Sequence, residues 1–264
     1  MKLSSKHRKV LQIIVAVIFS LLLAKYFYDL GYNSALNSSE ELCDYPGGDV
    51  YVEFDSVDED LSNSNVSSES LSELPEDSDS YFVIVNDNMP YFTEDELVVD
   101  SYEKYSELDN LGRCGTAEAC IGVDIMPTEE RGNIGSVKPT GWQSVKYDCV
   151  DGKYLYNRCH LIGFQLTGEN ANKKNLITGT RSFNVDGMLP FENMVADYVV
   201  ETENHVMYRV TPVFLENELV ARGVYIEGYS VEDSGDGICF NVYIYNKQDG
   251  IVIDYVTGLS TLED

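Results

Sequence analysis

Three imidazoles occur in this 264-residue chain, His7, His160 and His205, and an imidazole is the side chain best suited to take a proton from water near neutral pH. His7 lies among basic residues at the extreme N-terminus. His205 opens a Val- and Tyr-rich run without Arg or Asn beside it, the setting of an ordinary strand histidine. His160 is differently placed. It closes the stretch Asn157-Arg158-Cys159-His160, and Asn175, Arg181, Asn184 and Glu192 all fall within the next 32 residues. A base with guanidinium groups, carboxamides and a carboxylate close by in sequence is a candidate site of proton transfer. A thiol hydrolase built on Cys159 and His205 is a competing chemistry.

These residues must be positioned by a fold that begins near residue 80. Tyr81–Val85 is a β-branched and aromatic run of strand type, with Asn86–Pro90 as a turn. Residues 93–108 mix acids with apolar positions and suggest a helix or helical turn, and Gly112–Gly122 reads as loop. Strands are expected at 120–126, 144–149 and 153–157, the last two joined at Asp151-Gly152 as a tight hairpin. Residues 161–184 look irregular. Pro190–Val200 is expected as a short helix whose stripe is Phe191, Met194, Val195, Tyr198 and Val199. Eight residues of α-helix turn Glu192 roughly 80° from Asn184, and Pro190 predicts a break between them. Strands at 205–214, 219–229 and 238–246 follow.

The three ordered blocks Asn157–His160, Asn175-Leu-Ile-Thr-Gly-Thr180 and Asn184-Val-Asp-Gly-Met-Leu-Pro-Phe-Glu192 resemble the DNA/RNA non-specific endonucleases, the ββα-metal or His-Me finger nucleases. The likeness is greatest to their bacterial branch of secreted and DNA-uptake nucleases. It extends over about residues 80–258 and takes in Tyr81–Pro90 and Gly141-Trp142. It implies an α+β fold, mostly antiparallel sheet with few short helices, around a ββα-metal motif. It further implies His160 as general base, Arg158 on phosphate, Asn184 as ligand of one Mg²⁺ (Mn²⁺ substituting) and Asn175 in support. Glu192 would act through a metal-bound water or by orienting Asn184. Two positions depart from the family pattern: Asn157 stands for its Asp, which bears on metal affinity and activity optimum, and Cys159 stands for its Gly. The implied substrates are DNA and RNA. The alternative is a nucleic-acid-binding surface protein that kept the fold and lost activity through Asn157.

A formal charge of -27 at first argues against a polyanionic partner. Its distribution changes that reading. Residues 31–79 hold fourteen acids and no Lys or Arg, and with their Ser and Asn runs they read as a solvated linker. Residues 131–181 carry eight basic side chains against three acids. Within and around this stretch Arg131, Lys138, Lys146, Lys173, Lys174 and Arg181 are candidates to hold backbone phosphates, the two arginines foremost because a guanidinium grips phosphate in two places. At the other end, Lys2, Lys6, Arg8 and Lys9 precede an apolar run from Val10 to Ala24, then Lys25 and the aromatics Tyr26, Phe27 and Tyr28. This is the pattern of an uncleaved signal-anchor in residues 1–30, touching the membrane through residues 10–28, because Ala24-Lys25-Tyr26 is a poor cleavage site; a cleaved signal, and with it a secreted protein, is the alternative. The domain order is then anchor 1–30, linker 31–79 and exported nuclease domain 80–264. Six cysteines in an exported chain are expected as disulfides or buried thiols, with Cys114–Cys120 one short loop and Cys239 one conceivable partner of Cys159.

Overall fold

The computed structural model describes residues 74–75 and 80–263. The expected signal-anchor and nearly all of the acidic linker lie outside the described residues. Among those described, no helix is long and apolar enough to cross a membrane.

The strands are β1 (Phe82–Ile84), β2 (Tyr102–Tyr105), β3 (Ala117–Ile121), β4 (Tyr156–His160), β5 (Leu176–Thr180), β6 (Val206–Val213), β7 (Gly223–Ser230), β8 (Cys239–Tyr245), β9 (Ile251–Ile253) and β10 (Ser260–Leu262). Among the described residues the α-helices are a single turn, α1 (Phe164–Thr167), and the long α2 (Leu189–Thr202), with 3-10 turns at Asn86–Asn88, Glu94–Glu96 and Val123–Ile125. Six strands form one antiparallel sheet in the order β1-β8-β7-β6-β3-β2, while β4–β5 and β9–β10 are separate antiparallel pairs.

Alternation along the large sheet decides what covers each face. Ala117, Ala119 and Ile121 of β3 lie beside Val206, Tyr208 and Val210 of β6, then Val224 and Ile226 of β7, then Phe240, Val242 and Ile244 of β8. This face is buried against Phe191, Val195 and Val199, which repeat every four residues along α2. The intervening row presents charge on the opposite face. Arg209 there pairs with Glu118 at 2.7 Å, Glu96 at 2.5 Å and Glu227 at 3.6 Å, and stacks on Phe92 at 4.4 Å.

A buried amide at the centre of a small hydrogen-bond cluster fastens β4 and β5 to the large sheet. Asn246, just past β8, donates to the carbonyls of Thr178 and Ala221 and accepts from the Thr180 amide; Thr180 Oγ1 also donates to the Lys247 carbonyl. The chain then turns straight from β5 into a helical run, capped by Thr180 Oγ1 accepting from the Phe183 amide. Two strands followed by a helix is the ββα arrangement expected. Several local expectations are corrected. The segment 161–184 contains β5. Within 93–108 the expected helical turn is present at Glu94–Glu96, but 102–105 form a strand; β3 begins inside the expected loop 112–122 and ends at Ile121, where the expected strand 120–126 gives way to a 3-10 turn at Val123–Ile125. Residues 144–149 make only a single bridge, Lys146 with Tyr154, and the strand that delivers His160 pairs with β5 instead.

Pro190 does not break the helix. Phe183–Met188 winds in π register, and Leu189 donates to Asn184 across five residues before α2 begins. Proline has no amide hydrogen to place, so a register change immediately before it avoids stranding an α-helical acceptor. The wider π turn advances less angle per residue than an α turn, which brings Asn184 round toward the face that carries Glu192.

The described cysteines, Cys114, Cys120, Cys149, Cys159 and Cys239, are free thiols, so neither proposed pairing forms. Cys159 is fully buried, and a Cβ on Gly179 would come within 2.5 Å of its sulfur. The glycine on the neighbouring strand is what makes room for a cysteine at this position.

Candidate active site

The end of β4, the turn after it and one face of the π/α helical run enclose a cavity of about 750 Å³. Its wall includes Arg131, Asn157, Arg158, His160, Arg181, Asn184 and Glu192. Seven of the candidate residues, drawn from stretches sixty residues apart in sequence, therefore meet in one place.

His160 is 6% exposed, and both ring nitrogens are engaged. Nε2 lies 2.8 Å from the backbone oxygen of Asn170, which can only accept, so Nε2 carries the hydrogen and Nδ1 the lone pair. Nδ1 in turn accepts from Arg131 Nη2 at 3.2 Å. Burial, with Arg131 adding to it against the Asn170 bond, pushes the imidazole down to about 4. The ring is neutral at physiological pH, as a base must be.

Glu192 is pushed the other way. Burial raises its carboxyl to about 7, with Arg131 opposing. Its carboxylate packs directly on Gly163, where an added Cβ would sit 2.6 Å from Oε2, so only glycine admits it there. Asn184 lines the cavity from the π turn, and its side-chain amide makes no hydrogen bond among the described residues, leaving the oxygen available. Arg158 donates to the carbonyls of Val137 and Gly135 and lies 4.0 Å from the centre of the Trp142 ring. Arg181 is tied to Asp151 at 2.9 Å on the cavity rim. Asn157 lines the wall with its Nδ2 buried and unpartnered, where a carboxylate would present an oxygen.

Asn175 sits behind the site, fully buried. Its side chain accepts from the Ile162 amide at 2.8 Å and donates to the Ile162 carbonyl at 3.0 Å, clamping the turn two residues past His160. Asn175→Leu strands both backbone groups in an apolar setting, and we expect a loss of about 2–4 kcal/mol in the unfolding free energy from urea titration.

The lysines lie elsewhere. Lys138, Lys146, Lys173 and Lys174 are not in the cavity wall; Lys174 pairs with Glu107 at 2.5 Å, and Lys146 stacks on Tyr154 at 4.3 Å. Charge patterning located the basic stretch but could not tell which way each side chain points. Conversely, Trp142, Tyr154, Gly163 and the Asn170 carbonyl belong to the site and were not singled out as site residues. For Asn170 no side-chain signal could exist, because its contribution comes from the backbone. The Cys159–His205 pairing has no support: Cys159 is sealed in the core, its thiol pushed up by burial, and His205 Nδ1 bonds Glu232 at 2.6 Å.

The opposed shifts make stability a function of pH in a predictable way. His160, held below its ordinary 6.5, stabilises the fold above that value and loses the contribution as pH falls toward 4. Glu192, held above its ordinary 4.5, stabilises the fold below that value and loses the contribution as pH rises through about 7. The two slopes oppose each other between pH 4.5 and 6.5. In metal-free protein, Glu192→Gln should therefore melt higher as pH rises through this window and His160→Gln lower, against a flatter wild type; parallel melting curves would contradict the assignment.

A sheet backed by one helix, with a buried neutral histidine, three arginines and amide and carboxyl oxygens around one cavity, is the arrangement of a phosphodiester-cleaving enzyme. The family model described as DNA/RNA non-specific endonuclease matches residues 93–232, more than half of the chain, and the chain belongs to that family. Among solved structures, NucA from Streptococcus agalactiae is similar at 28% identity and a TM-score of 0.60, over 68% of this chain and 86% of that one, both with no metal bound and with a magnesium ion bound. The Sda1 nuclease with bound zinc ion is similar at 25% identity and a TM-score of 0.59, over 70% of this chain and 97% of that one.

Proposed function

We propose that this protein is a Mg²⁺-dependent, sequence-indifferent nuclease of DNA and RNA, held at the outer face of the membrane by residues 10–28. The observation that carries the reading is His160: a neutral imidazole with Nε2 fixed by Asn170, on the wall of the same cavity as the Asn184 amide. Asn184 and Glu192 offer hard oxygen donors. No group of three or more His, Cys, Asp or Glu able to hold a metal occurs among the described residues. This donor set suits a cation that keeps most of its waters, as Mg²⁺ does, with Mn²⁺ able to substitute. When bound, such an ion supplies Lewis-acid stabilisation of charge on the phosphoryl and departing oxygens.

The chain's own residues would do the rest. His160 takes the proton of an in-line water at Nδ1, and the resulting imidazolium is stabilised through Nε2–H to Asn170. The water oxygen bonds to phosphorus as the bond to the 3′ oxygen breaks. Arg158, stacked on Trp142, and Arg181 on the rim hold phosphate oxygens and carry no information on base sequence. Lys138, Lys146, Lys173 and Lys174 would extend that hold along the strand.

Plasmid degradation tests the reading. Full-length protein should cut with Mg²⁺ and stop on addition of chelator, while DNA capture in chelator weakens by more than about tenfold between 50 and 200 mM salt if three guanidinium groups meet phosphates. DNA retention with no cutting would select the alternative, a binding protein silenced at Asn157. Recovery of the intact chain in a membrane fraction supports the anchor; a shortened chain in the medium would replace it with a cleaved signal.

A further inference from the structure

We infer that Arg131 masks the catalytic nitrogen of His160 in the free protein, and that an arriving phosphodiester unmasks it by drawing the guanidinium away. The inference rests on the reading of His160 as the base. Nδ1 has one lone pair, and Arg131 Nη2 donates into it at 3.2 Å. A guanidinium does not give up its proton in a protein, so the direction of this bond is fixed. While it stands, the lone pair that must accept the water's proton is occupied. The ring has no second basic nitrogen to offer, because Nε2–H is committed to Asn170.

Arg131 is poorly anchored where it is. Arg113, Arg181, Arg209 and Arg222 all have carboxylates within ion-pair distance, and Arg158 has two carbonyls and the Trp142 ring. Arg131 makes no ion pair among the described residues: the Glu192 carboxyl feels its charge from beyond ion-pair distance, and the side-chain hydrogen bond of Arg131 there is the one to His160. Its own residue is exposed, on an irregular loop. A neutral imidazole is a weak partner for a cation beside an anionic oxygen, which can take two charge-assisted bonds from the same guanidinium. A phosphate in the cavity, already shared with Arg158 and Arg181, therefore outcompetes His160 for Arg131. The same transfer neutralises the positive charge that opposes protonation of the ring. The base is freed only when there is an anion to attack.

Labelling by diethylpyrocarbonate, which acylates unprotonated imidazole nitrogens, reads this directly in metal-free full-length protein, with peptide mass analysis separating His160 from His7 and His205. At neutral pH and in chloride, wild-type His160 should react slowly, and Arg131→Ala should react about tenfold faster, the factor set by one hydrogen bond of ordinary net strength. Replacing chloride by inorganic phosphate at equal ionic strength should accelerate wild-type labelling and leave Arg131→Ala unchanged. Arg131→Lys, which keeps the charge without the planar fork, should fall between the two. Equal rates in wild type and Arg131→Ala, or protection of the wild type by phosphate, would overturn the inference. Either result would leave the nuclease reading intact if His160→Ala still abolished cleavage, whereas a His160→Ala protein that cuts normally removes the base itself.

Discussion

His160→Ala should lower the rate of plasmid cleavage by about 10²–10⁴-fold, the range general-base catalysis supplies, while DNA capture in chelator stays near wild type. The size of the effect follows from the absence of a substitute. The cavity wall holds one imidazole, and of its other titratable groups Glu192 is the nearest to neutrality, yet it packs against Gly163 and faces the proposed cation. Loss of the ring also leaves the Asn170 carbonyl and Arg131 without a partner. Circular dichroism and melting of the variant must therefore accompany the assay. A more specific sign of the lost base is rescue: free imidazole entering the vacated space should restore part of the rate, with a dependence on the fraction of unprotonated imidazole. A variant that cuts at the wild-type rate, or one that binds no DNA, would refute the assignment.

How much of this site could be read from residues alone depended on whether the information was local. The stripe Phe191, Val195 and Val199 is local, and α2 carries it where the periodicity put it. The Asn157–His160 strand end was legible for the same reason. β5 was not: Leu176–Thr180 is buried on both faces, so it shows no alternation, and its flanking Asn and Gly residues mimic a loop. Its identity as a strand comes from pairing with β4, sixteen or more residues earlier in the chain. Likewise, the usual effect of proline on an α-helix predicts a break at Pro190. The π register upstream removes the conflict, and no single-residue propensity announces such a register change. One helical period throughout therefore overstates the angular separation of Asn184 from Glu192.

That register makes Asn184 the second residue on which a large effect is expected. Asn184→Ala should raise the Mg²⁺ concentration needed for half-maximal cleavage by at least about 10–100-fold, the loss usual even for residues that only support a metal ligand. An amide oxygen free of hydrogen bonds is a neutral ligand, and a cation held mainly by its own waters has few protein contacts to lose. Removing one should therefore be felt in affinity before it is felt in the rate at saturating metal. Asn184→Asp should move the titration the other way, because a carboxylate adds charge at the same position. Asp186→Asn, on the exposed side of the same π turn, keeps the helix and should leave the titration unchanged. If all three variants share the wild-type Mg²⁺ dependence, the ion is held elsewhere in the cavity, and Glu192 and Asn157 become the groups to vary next.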